Sequence, residues 1–67
     1  MTFTVEFEVA NAYFQMDDGS GEIDGTAIAE VLRQVARRVD GAPMEGGEGR
    51  SILDGNGNIV GEWELSA

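Results

Sequence analysis

Carboxylates are the abundant reactive groups in this chain. Thirteen Asp and Glu side chains stand against four arginines (Arg33, Arg37, Arg38, Arg50), with no Lys, His or Cys. Paired carboxylates can serve as the acid and base of a glycosidase. That chemistry needs an enclosing pocket to raise one carboxyl pKa, and 67 residues can hardly build one. Nucleophilic catalysis lacks its parts: there is no Cys and no His, and Ser20, Ser51 and Ser66 have no base partner of the usual kind. Asp54-Gly55-Asn56-Gly57-Asn58 opens like a calcium loop. An EF-hand then requires Gly at loop position six and Glu at position twelve, and those places hold Ile59 and Leu65. The run fits a hairpin turn far better. Asp17, Asp18, Glu22 and Asp24 match no metal cage, and Gly19-Ser20-Gly21 has no following lysine to make a phosphate loop. The expectation is a chain with no catalytic residues, no metal and no cofactor.

The elements that must carry these acids follow from the apolar pattern. Residues 2–9 alternate, with Phe3, Val5, Phe7 and Val9 on one side and Thr2, Thr4, Glu6 and Glu8 on the other, which predicts a half-buried strand. Residues 10–22 hold turn-forming Asn11, Asp17, Asp18, Gly19, Ser20 and Gly21 and read as a loop, with Phe14 as an anchor under the helix. Ile28, Val31, Leu32, Val35 and Val39 form one stripe and predict a helix over about 23–40. Asp24 or Thr26 can cap its start, Arg37 and Arg38 suit its last turn, and Gly41 and Pro43 end it. Residues 41–49 form a glycine-rich loop. Residues 50–65 read as a hairpin turning at Asp54–Asn58. Trp63 faces the helix as core; Tyr13, in a loop, is the better contact candidate.

These elements define one α+β domain over residues 1–67 in the order β-α-β-β. Placing the third strand in the centre makes every pairing antiparallel, in the order 1-3-2, with the helix on one face. No cysteine is available to staple so short a chain, which buries only about 60% of the surface of its unfolded form.

The topology gathers charge. Glu6 and Glu8 of the first strand and Glu62 and Glu64 of the third would project from the same open face, while Arg33 and Arg37 lie on the exposed helix side. Asp17, Asp18 and Glu22 add acidity from the loop, and Tyr13 an aromatic contact. The net charge of −9 repels phosphate backbones and anionic membranes alike, so neither nucleic acid nor a membrane is an expected direct partner. A protein with a basic nucleic-acid-binding groove would be attracted instead. Solubility alone is the competing explanation of the acidity. The start of the sequence has no basic region or apolar run, and no stretch reaches the ~20 apolar residues of a membrane span, so a cytoplasmic monomer or weak dimer is expected.

The run Gly49-Arg50-Ser51-Ile52-Leu53-Asp54-Gly55-Asn56-Gly57-Asn58-Ile59-Val60-Gly61-Glu62-Trp63 resembles the ends of small phage and prophage proteins of βαββ type. The Asn11-Ala12-Tyr13-Phe14 loop and the single amphipathic helix after it resemble their starts. In size, acidity and lack of catalytic residues the chain is similar to anti-CRISPR proteins, those of type I-C in particular. That resemblance implies an inhibitor that keeps a CRISPR effector complex off DNA by charge mimicry. Its motifs are turn and core features, so it supplies no site residues. A phage structural or assembly protein that self-associates through a strand edge is the alternative.

Overall fold

The computed structural model describes all residues from Met1 to Ala67. Strand β1 (Thr2–Phe7) is followed by a 3₁₀ turn (Ala12–Phe14), helix α1 (Gly25–Val39), strand β2 (Glu48–Leu53) and strand β3 (Ile59–Ser66). The sheet is antiparallel throughout in the order β1-β3-β2, as the pattern predicts. The first strand is shorter than the alternation suggests. Ladder pairing ends at Phe7–Gly61, although the Glu8 amide still donates to the Val60 carbonyl at 2.9 Å. The third strand's partner β2 starts at Glu48, inside the stretch expected to be loop.

Helix α1 begins where a side chain satisfies its free amides. Asp24 is the cap, accepting the Thr26 amide at 2.9 Å. At the other end the Asp40 amide donates to Ala36, and Gly41 takes φ of 75°, a left-handed value that suits glycine. The buried positions of the helix are Ala27, Val31 and Val35. They are spaced four apart and form a narrower stripe than the apolar pattern suggests. Ile28 and Val39 flank the stripe, and Leu32, one helical step (~100°) from Val31, is 46% exposed.

Phe14, Ile52 and Trp63 complete the core from the 3₁₀ turn and the sheet. Phe14 is fully buried, stacked on Phe7 at 5.8 Å and met edge-on by Tyr13 at 5.1 Å. It is the anchor that its place in the loop suggests. Phe7 can lie across β3 because Gly61 opposes it: any Cβ at 61 would collide with the Glu6 carbonyl and Phe7. The Gln34 side chain fastens the helix to the edge strand, donating to the Leu53 carbonyl at 3.0 Å and accepting its amide at 3.4 Å. This contact sits where the ladder shifts register between Ile52 and Leu53.

The molecule measures 43 × 18 × 18 Å. A 15-residue helix is about 22 Å long. It lies over β2 and the 3₁₀ turn. Phe3, at the end of the sheet, remains 43% exposed although its ring lies 5.5 Å from Trp63. No helix is long and apolar enough to cross a membrane.

Candidate functional site

The register decides which acids meet. Across β1 and β3, Glu6 stands directly opposite Glu62, Glu64 opposite Thr4, and Val5 opposite Trp63. Partners in an antiparallel pair share a face. Trp63 is buried on the helix side, so Glu6, Glu62 and Glu64 project from the other side. Glu8, one step beyond β1 and bonded to Val60, continues that row. All four glutamates are exposed. The order of rungs is thus Glu8 beside Val60, Glu6 beside Glu62, then Thr4 beside Glu64, a zigzag with ~6.6 Å between successive same-face residues.

No cation relieves this face. The one ion pair in the molecule joins Arg33 to Glu30 along α1. Across from Glu62 and Glu64 on β2 stand Ser51 and Gly49, neither of them charged. Arg50 falls on the helix side of the sheet, in register with Trp63. The face is shallowly concave. Glu6, Glu8, Ser51, Val60 and Glu62 line a hollow of about 360 Å³, and Thr4, Glu6, Glu62 and Glu64 line an adjoining one of about 200 Å³. Both are open, so the surface suits a convex cationic partner rather than a sequestered small substrate.

The remaining candidates lie elsewhere. Asp17, Asp18 and Glu22 are exposed in the loop before α1 and border neither hollow. Asp18 is tied up locally. Hydrogen bonding from Ser20, through its side chain and its amide (2.9 Å), holds the Asp18 carboxyl below its ordinary range. Tyr13 is only half exposed, with one edge on Phe14 and its ring against Gly55, which has no side chain to displace it. Its packing partners are therefore structural ones.

One acid stands apart from all of these. Asp54 is buried, and its two oxygens accept four hydrogen bonds. Oδ1 takes the amides of Asn56 (2.8 Å) and Asn58 (3.0 Å); Oδ2 takes Asn11 Nδ2 (2.8 Å) and Asn58 Nδ2 (3.2 Å). Burial pushes its pKa up. The donors from Asn58, Asn56 and Asn11 outweigh that and hold the carboxyl below its usual value. Asn11 in turn accepts the Tyr13 amide at 3.0 Å and caps the 3₁₀ turn. Asp54 thus shapes the hairpin and ties it to the first loop. The Asp-Gly-Asn-Gly-Asn run marks a turn, but nothing local announces a donor 43 positions earlier.

No family model, curated protein or solved structure was found to match this chain.

Proposed function

We propose that this protein is a non-enzymatic inhibitor that presents its open sheet face as a mimic of a polyanion. The target is the basic nucleic-acid-binding groove of a defence complex of the CRISPR surveillance type, which it keeps from DNA. The observation that carries this reading is the direct opposition of Glu6 and Glu62, flanked by Glu8 and Glu64, with no cation beside them. Like charges placed across a strand pair are destabilising. Such a face is disfavoured in the free protein and is relieved when a cationic surface covers it. A chain that needed only solubility could spread its acids without this opposition.

Encounter with such a partner is accelerated by charge and weakened by salt. The test is the double variant Glu6→Lys, Glu8→Lys in a DNA-binding assay of type I-C effector complexes. Both positions are exposed, so the fold survives. Loss of inhibition is the expected result, and undiminished inhibition by the folded variant overturns the proposal. The two free edges of the sheet, on β1 and β2, favour the assembly reading instead. That reading requires a defined oligomer whose size is the same at low and high salt.

A further inference from the structure

We propose that the opposite side of the molecule holds a binding site for a single carboxylate group, made by Arg38, Arg50 and the indole of Trp63. Arg38 comes from the last turn of α1 and Arg50 from β2. Together with Ala42, Met44, Glu48 and Trp63 they line a hollow of about 170 Å³. Two of the chain's four arginines therefore meet at one place. In a chain with thirteen carboxylates, neither of them forms an ion pair. Arg50 spends one donor on the Gly49 carbonyl at 2.8 Å, which leaves most of its fork free.

Trp63 supplies the second, independent observation. It is 4% exposed, and its Nε1–H is buried without an acceptor. A buried indole N–H ordinarily finds a partner, and an orphaned donor is costly. An anion entering between the two guanidiniums supplies that acceptor. Nε1 is closed off from solvent, so the arginines make first contact. Reaching Nε1 then requires the lining of the hollow to give way around the indole.

The class of anion follows from what rims the hollow. Guanidinium forks match planar carboxylates and phosphates. Glu48 already contributes one negative charge at the rim, its Oε1 accepting the Glu45 amide at 2.8 Å. Attraction to the guanidiniums grows in proportion to the charge of the anion, but the cost of taking it out of water grows with the square of that charge. A site that reaches a buried indole therefore favours a singly charged carboxylate over a doubly charged phosphate.

The experiment uses the single tryptophan as reporter. ¹H–¹⁵N correlation spectra of the full chain are followed while sodium acetate replaces sodium chloride at constant ionic strength. A saturable shift of the Trp63 Nε1–H signal is expected. Arg38→Gln and Arg50→Gln are each expected to weaken it about tenfold, and Arg33→Gln, which removes the same charge outside the hollow, to leave it within twofold of wild type. Acetyl-glycine and the α-amide of acetyl-glutamate, run in parallel, tell a chain-terminus carboxylate from a side-chain one by which saturates first. A shift that stays linear, arginine variants that titrate like the wild type, or sodium phosphate saturating at lower concentration than acetate would each overturn the proposal.

Discussion

Asp54 and the Glu6–Glu62 pair are the same chemical group in opposite circumstances. Asp54 is buried, with four donors within 3.2 Å; the glutamates are exposed and face each other with no donor between them. A carboxylate surrounded by donors is part of the scaffold, because its charge is already spent on holding backbone in place. A carboxylate opposed by another has an unspent charge and gains from any cation that arrives. The contrast separates the acids that build this fold from those left to act outside it.

The largest effect expected is on Asp54. Replacing it with Ala strands the Asn56 and Asn58 amides and frees Asn11, undoing the hairpin turn and its tie to the first loop together. Its urea midpoint should fall further than that of any glutamate variant; a midpoint within error of wild type would erase the distinction. The same group gives a pH signature. Its pKa is lower folded than unfolded, so its stabilisation is fully present above the ordinary aspartate value near 3.9 and is lost as pH falls through the lowered one. Acid unfolding monitored by Trp63 fluorescence should steepen below about pH 4 in the wild type. Asp54→Asn should lack that component.

A smaller loss is expected from Asn11→Ala, which removes one donor to Asp54 and the cap on the 3₁₀ turn. About 1.5–3 kcal/mol is the scale for one hydrogen bond to a charged group, readable as a shift in thermal midpoint. The smallest effect has the opposite sign. Glu62→Gln removes the like-charge opposition to Glu6 and should stabilise the chain by about 0.2–1 kcal/mol while weakening partner binding. A destabilised Glu62→Gln would place this pair with the structural acids and dissolve the comparison.

Much of the scaffold was legible from local pattern. Period-two alternation over residues 2–9, the apolar stripe of the helix and the Asp-Gly-Asn-Gly-Asn turn identify every strand and the helix. Antiparallel geometry then leaves β3 as the natural centre of the sheet. The short-range signals were weaker where they met packing. Leu32 belongs to the apolar stripe yet is half exposed, because the sheet and the 3₁₀ turn contact a narrower arc of α1 than its composition offers.

The amino-acid sequence by itself determined the charge, the alternation that puts Glu6 and Glu8 on one side of a strand, and the residues able to cap and turn. Only the tertiary structure decided that Glu6 faces Glu62 without a cation, that Asn11 reaches Asp54 across 43 positions, and that Arg38, Arg50 and Trp63 line one hollow. The reason is one of range. Side-chain periodicity and turn chemistry act over a few residues and can be read in order along the chain. Strand register and the closing of loops against one another set distances between residues far apart in sequence, and these depend on how the whole core packs.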